Sequence, residues 1–420
     1  MHDLQNTFSL CFRGQNPQYL QQDTMESSKT TSDIAIVGGG IVGSALAYFL
    51  SQTDKKVVLI DRSFSQLNGS TGYAPGLVGQ FNESEVLTRL AMDTVREYTK
   101  VPGGFDAVGG LEIATSCEGV DRLRSRCELA KRAGLRAELI SSGQAVSLAP
   151  DLVNDDHQIA LYFPGDGAAD AIRITSFYQK NAQAKGVELI EAEVTEVQQA
   201  NGCVNGVMTT SGLIPAKKVI IATGIWASNL CKFDIPIPVV PVAHPYMYGE
   251  HHTPKLRKAP WVRWPQHHVY ARDHGTFFGL GSYDHAPALN EPRDTAIGDW
   301  IGQFDETLSR AMRFIPEETK FVPRERFNGI FSMTPDNMPL VGSIPSTEGL
   351  YMAAAVWVTH AAGAAKFLAQ LLEEQPVDDV IRRALDPSRF QGRDMATLTQ
   401  KSLNGYNNIY KTEESGAPKV

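Results

Sequence analysis

A chain of 420 residues, 42% hydrophobic and 20% charged, is long enough to bury a large core and to divide into two domains. Its 39 basic and 47 acidic side chains give a net charge of −8 with no long run of either sign, which argues against a nucleic-acid partner. The five cysteines, Cys11, Cys117, Cys127, Cys203 and Cys231, are scattered and contain no Cys-x-x-Cys pair, a pattern that suits a reducing compartment and supplies no metal site.

Residues 1–32 are rich in Gln, Asn, Ser and Thr and lack the apolar core of a secretory signal, so they read as a disordered extension, with Met25 as an alternative start. An apolar strand, Ile34 to Val37, then runs into Gly38-Gly39-Gly40-Ile41-Val42-Gly43 and an Ala- and Leu-rich helix ending near Leu50. A second strand, Lys56 to Ile60, closes on Asp61. This order is a dinucleotide fingerprint: Gly38 for the tight turn, Gly40 for close approach of a pyrophosphate, Gly43 for close helix–strand packing, and Asp61 for an adenosine ribose. The helix N-terminus adds unpaired N–H groups and a positive dipole end.

The loop Gly69-Ser70-Thr71-Gly72-Tyr73-Ala74-Pro75-Gly76 follows, and such a loop beside a dinucleotide site usually touches the cofactor. Helical patterns cover 84–100 and 172–185, and a strand covers 187–190. From Ala192 to Gly224 come short alternating strands with turns at Asn201-Gly202 and Ser211-Gly212, then the buried run Val219 to Ala222 before Thr223-Gly224. A simple nicotinamide domain continues in further βα units, whereas an inserted three-stranded meander looks like the glutathione-reductase type of FAD domain. The expected fold is therefore α/β. A Rossmann FAD-binding domain is drawn from 33–105, 165–235 and 325–385, and a β-sheet-based α+β substrate domain from 106–164 and 236–324. A C-terminal tail covers 386–420.

Strands are expected around Val269 to Tyr283, a buried strand at Gly349 to Ala355, and a helix from Ala361 to Glu374. The longest apolar stretch, Leu350 to Leu372, contains Thr359, His360 and Lys366 and changes character near Ala361, so a membrane span is the poorer reading and a cytoplasmic location is expected. Ala417-Pro418-Lys419-Val420 is no peroxisomal tripeptide.

Several segments resemble the flavin amine oxidoreductases that include sarcosine and dimethylglycine oxidases and dehydrogenases. They are Gly69-Ser70-Thr71 with Ala74 to Val78, Gly109-Gly110-Leu111-Glu112, Phe327 to Ser332 with Thr334-Pro335-Asp336, and Ala355 to His360. The resemblance implies FAD, an amine substrate, and oxygen or an electron-transfer protein as acceptor. It implies cofactor contacts from Gly38, Gly40, Ile41, Val42 and Gly43, from Asp61 and Arg62, and from Gly69, Ser70, Thr71, Tyr73, Ala74, Gly76 and Leu77. Val194, Thr223, Gly224 and Trp226 follow from the returning sheet, and Asn328, Asp336, Trp357, Thr359 and His360 from the C-terminal segments. In members that oxidise N-methylglycines a histidine in the Gly-Ser-Thr loop commonly carries the flavin covalently. Here that position is Tyr73, so dissociable FAD is expected, with a Tyr73 link as the alternative. Larger members continue into a folate-binding domain, which is not expected in this chain.

His244 matches an active-site histidine of the dimethylglycine-oxidising members, and Tyr270 their catalytic tyrosine. Hydride transfer to flavin requires the amine lone pair to be free, and an imidazole titrating near pH 6.5 is suited to accept the ammonium proton. Taken alone, His244 reads as a structural histidine near prolines, and it is the resemblance that brings the functional reading level with it; Tyr270 reads equally as an amphipathic strand residue. A substrate carboxylate calls for a guanidinium, and Arg272, with Arg263 behind it, lies in the right region. Each also reads as a surface or interface arginine. His251-His252 and His267-His268 lack a matching ligand pattern and give no metal site. Three functions compete: oxidation of a small secondary or tertiary amine, tailoring of a larger N-methylated or cyclic amine, and a nucleotide fold kept for binding or regulation alone.

Overall fold

A computed structural model describes residues 31–409 apart from 157 and 231. Met25, Cys11, Cys231 and all of the expected N-terminal extension up to residue 30 lie outside the described residues. Ser32–Val37 is a run of mostly apolar residues that pairs in parallel on both sides, with Val57–Asp61 and with Gly212–Ile221; Ile36 stands opposite Leu59 and Ile220. Glu188–Glu191 extends the parallel order on one edge, Leu350–Ala354 on the other, and Leu340–Ser343 adds an antiparallel edge strand. The first half of Gly212–Ile221 leaves this sheet to form the expected antiparallel meander with Cys203–Thr209 and Val194–Ala200.

Both faces of the parallel strands are covered, which is why they read as continuous apolar runs rather than alternating ones. The helices Ile41–Leu50, Glu85–Tyr98, Ala171–Ala184 and Ala361–Leu372 bury one face; the meander, the Ile235–Val239 segment and Leu398 bury the other. Glu85–Tyr98 starts where Ser84 caps it, its hydroxyl accepting from the Leu87 amide, with Glu85 in the positive first turn. Ala361–Leu372 packs closely on that helix because Gly363 carries no side chain; a Cβ there would lie 2.2 Å from the Leu90 carbonyl oxygen.

Among the described residues a second sheet has eight strands in the order Pro323–Met333, Val240–Gly249, Phe278–Ser282, Val269–Asp273, Trp261–Trp264, Gly110–Ile113, Ile159–Phe163, Glu138–Ser141. Two differences from the sequence reading bear on the site. Pro323–Met333 pairs along its length with Val240–Gly249, His244 opposite Gly329 and Tyr246 opposite Phe327, so residues placed at the start of the last FAD segment belong to the second sheet. Within the expected tail, Met395–Tyr406 is a helix capped by Asp394, and its buried residues Leu398, Ser402 and Tyr406 recur every four positions, the period of a helix with one inward face. Among the described residues no helix is long and apolar enough to cross a membrane.

Candidate active site

The glycine segment builds the first cavity from backbone. Gly38 has φ +110°, and a Cβ on it would lie 2.5 Å from the Ala222 oxygen; a Cβ on Gly43 would lie 1.9 Å from the Gly38 oxygen. These two glycines bring strand, helix and the Ala222 return into contact, so Gly43 acts through packing and does not line the cavity. Gly40 is different: a Cβ there would meet only the Thr71 hydroxyl, at 3.2 Å, and the position faces open space. It is the N-cap of a helix with no acidic residue in its first turn; the Ile41 amide donates to the Thr71 hydroxyl (3.1 Å), and the amides after it and the dipole remain for an anion.

That cavity, of about 300 Å³, is lined by Gly38, Gly40, Ile41, Val42, Asp61, Arg62, Gly69, Ser70, Thr71, Val194, Thr223, Gly224 and Trp226 among others, and reaches Ser332, Ala353 and Val356. Asp61 accepts from the amides of Gly39 (2.6 Å) and Ser63 (3.0 Å), which fixes its carboxylate at the end of its strand. The Arg62 guanidinium lies over the Trp226 ring, 5.1 Å from its centre. An extended dinucleotide fits this lining: Gly38 to Val42 would hold the pyrophosphate, Asp61 and Arg62 the adenosine end, and Gly69 to Thr71 with Val356 the approach to the flavin. Ala355, just beyond the strand Leu350–Ala354, adopts φ +54°, a left-handed conformation uncommon outside glycine and often found at functional turns.

A second cavity, of about 220 Å³, is lined by Leu77, Tyr270, Asp336, Trp357, Thr359 and His360 together with Glu112, Arg126, Asp166, Trp261 and Arg263. Thr359 donates to the Leu77 carbonyl (3.2 Å) and Trp357 to the Ser332 carbonyl (3.3 Å), so the segment before the last sheet helix is tied to both cavities. Burial pushes His360 down to about 4, so the imidazole that begins this helix is neutral at physiological pH. Asp336 is engaged by Arg389 at 2.8 and 3.0 Å. On the opposite wall Arg126 grips Glu112 through two bonds, 2.8 and 3.1 Å, and Arg263 binds the same carboxylate. Burial pushes the Glu112 carboxyl up, but the two guanidiniums outweigh it and hold it below the usual carboxylate range. Asp166 has the Gln80 amide at 2.9 Å, yet burial dominates and raises its carboxyl to about 7.

His244 and Tyr270 are brought together: His244 Nε2 lies 2.7 Å from the Tyr270 hydroxyl, and Tyr270 borders the second cavity. The His244 backbone N–H donates to Asn328 Oδ1 (2.9 Å), and Asn328 in turn donates to the Asp299 carbonyl (2.9 Å); Asn328 thus positions the histidine's strand and lines neither cavity. The expectation of an imidazole titrating near pH 6.5 is corrected. His244 is only 2% exposed, and burial, with His285 adding repulsion, pushes it well below the usual value.

Four other sequence-derived positions stand apart from both cavities. Tyr73 packs against Phe327, ring centres 6.1 Å apart. Ala74 packs on the helix-side core, and Gly76, at φ +76°, lets the chain pass the Ala169 carbonyl. Arg272 directs Nη1 at the carbonyl oxygens of Pro75 and Ala169 and stitches this loop to the second sheet. The sequence reading missed Tyr406, His285, Glu112, Arg126 and Asp166. A charged Glu112 inside the otherwise apolar strand Gly110–Ile113 was the available signal, because a carboxylate there demands a buried cation.

The sequence matches the family described as FAD dependent oxidoreductase over residues 33–371. It is 28% identical over 360 residues to human mitochondrial sarcosine dehydrogenase, covering 81% of this chain and 39% of that protein. It is 26% identical over 424 residues to rat mitochondrial dimethylglycine dehydrogenase, covering 92% of this chain and 48% of that protein. The chain thus spans less than half the length of each of these relatives. Its fold is that of the crystal structure of L-proline dehydrogenase from P. horikoshii, with a TM-score of 0.77, 24% identity, and 86% and 98% of the two chains covered. With well over half of its length matched, the chain belongs to the FAD-dependent oxidoreductase family.

Proposed function

We propose that this protein oxidises a secondary or tertiary N-methyl amine of the sarcosine or dimethylglycine kind, and that its FAD is held without a covalent bond. The observation that carries the reading is the hydrogen-bonded Tyr270–His244 pair at the edge of a cavity whose other wall holds Trp357 and His360. Bound FAD supplies the acceptor for a hydride from the carbon next to the amine nitrogen. Tyr270 meets the amine nitrogen with its hydroxyl oxygen and, through His244, lowers the cost of losing the ammonium proton. Neutral His360 lines the cavity without adding charge. The substrate carboxylate is assigned to the cationic wall where two guanidiniums share Glu112, with Arg263 as its partner in place of Arg272, which is directed at loop carbonyls outside the cavity. The non-covalent assignment rests on Tyr73 packing against Phe327 outside the first cavity.

A larger or cyclic secondary amine is the second reading, favoured by the reach of the cavity from Tyr270 to Glu83 and Asn408. Electrons then pass to oxygen or to an electron-transfer partner. His244→Ala tests the assignment in anaerobic rapid mixing with sarcosine, dimethylglycine and L-proline. The expected result is flavin reduction slowed by about 10²–10⁴ with FAD content unchanged. An unaltered rate removes His244 from the chemistry.

A further inference from the structure

Behind Tyr270 the hydrogen bonds do not stop at His244. His244 Nδ1 lies 2.6 Å from the Tyr406 hydroxyl, that hydroxyl lies 2.9 Å from His285 Nε2, and His285 Nδ1 lies 3.0 Å from the Ala286 carbonyl oxygen. Four side chains from three distant segments are therefore joined end to end, from the cavity edge to a site at the base of the helix Gln303–Met312, where Arg310 pairs with Asp284 at 2.8 Å.

The far end fixes the direction of every bond. A carbonyl can only accept, so His285 Nδ1 carries a hydrogen, and Nε2 of the neutral ring must accept from Tyr406 O–H. Tyr406 has then used its proton and accepts from His244 Nδ1–H, which leaves His244 Nε2 to accept from Tyr270 O–H. All four groups point one way, each donating to the next from Tyr270 to the Ala286 carbonyl.

We propose that Tyr270, His244, Tyr406 and His285 form a one-way proton relay that carries the ammonium proton of the substrate out of the second cavity to His285. In this step the amine N–H breaks and Tyr270 O–H forms; the former Tyr270 proton passes to His244 Nε2. The His244 Nδ1 proton passes to Tyr406, and the former Tyr406 proton passes to His285 Nε2. The amine ends neutral with its lone pair free, His285 ends as an imidazolium, and His244 has only exchanged one neutral tautomer for the other. This removes the difficulty raised by its burial: a ring that holds charge poorly relays a proton without ever holding the charge. Burial is the largest influence on His285 and lowers it; the bond to the Ala286 carbonyl and the facing Asp284 favour its charged form, and Arg310 opposes it. Phe304 packs on its ring, centres 4.8 Å apart, and Tyr406 is fully buried.

The relay rests on the amine-oxidation reading, so its test has one arm that needs no substrate. Histidine ¹⁵N resonances of the FAD-bound protein at neutral pH should show both His244 and His285 protonated on Nδ1, with Tyr406→Phe releasing that bias at His244. An Nε2-protonated ring at either position in the parent overturns the relay whether or not any amine is turned over. In the second arm, anaerobic reduction by sarcosine or dimethylglycine is followed against pH in the parent, Tyr406→Phe and His285→Gln. Glutamine still accepts the Tyr406 hydrogen bond but cannot take its proton, so it preserves a structural role and abolishes a relaying one. Both variants should keep FAD and fall by about tenfold to a hundredfold in reduction rate, with the acid limb of the profile lost in His285→Gln. A His285→Gln rate and pH profile matching the parent contradicts the proposal. If neither amine reduces the parent, the substrate reading fails and the tautomers alone decide the relay.

Discussion

The two cavities are built on opposite principles. The first is made by backbone and by the absence of side chains: Gly38, Gly40 and Gly43 lie within six consecutive residues, and the cradle exists because nothing projects into it. The second is made by side chains that converge from far apart in sequence. Arg263 reaches Glu112 across 151 positions, Thr359 reaches Leu77 across 282, and the resulting wall is charged and buried. A backbone cradle binds what every dinucleotide shares, while a converged side-chain wall selects one substrate and tunes its protons.

The sharpest way to break this contrast is at Gly40. A Cβ there meets only the Thr71 hydroxyl, so Gly40→Val should fold, with a thermal transition close to that of the cofactor-free parent, yet hold no FAD. A fully flavinated Gly40→Val protein contradicts the assignment of the first cavity. In the second cavity the opposite holds, and removing a charge damages the fold itself. Glu112→Gln strands two buried guanidiniums and should cost about 3–5 kcal/mol in chemical denaturation. A loss below about 1 kcal/mol would mean the cluster is not the closed ionic network the geometry describes.

Asp166 gives the smaller, pH-dependent effect. Its carboxyl, raised from 3.8 to about 7, holds a proton in the folded protein that the unfolded chain has already lost. Stability therefore falls as pH rises between those two values and stays reduced above the upper one. Asp166→Asn keeps an acceptor for the Gln80 amide and carries no charge, so it should be more stable than the parent by about 2–4 kcal/mol at pH 8 and equal to it near pH 4. An identical difference at both pH values would show that Asp166 does not titrate in this window.

The same contrast explains what could be read from the sequence. The strand, glycine turn, helix, strand and terminal Asp61 were legible because each obeys a local rule and all fall within thirty consecutive residues. The meander before Thr223 was legible from its turn dipeptides and alternation. His244 and Tyr270 were identified through resemblance, but their linkage was not visible. It depends on Val240–Gly249 and Val269–Asp273 both pairing with Phe278–Ser282, a register that only the folded sheet sets. Tyr406 lay in a segment read as a tail, where the polar Ser402 between Leu398 and Tyr406 interrupts the apolar stripe of the helix, and its partner His285 had no local pattern at all. Arg272 was chosen for a substrate carboxylate because it stands two residues from Tyr270 on the same strand, whereas its side chain is directed at the carbonyls of Pro75 and Ala169.

The most direct test of the account is the visible absorption spectrum of the purified protein, recorded anaerobically before and after adding sarcosine and dimethylglycine. The account predicts an oxidised flavin band that dissociates on denaturation and bleaches with one of these amines. A protein that takes up no FAD, or a flavin that neither these amines nor L-proline can reduce, would contradict it.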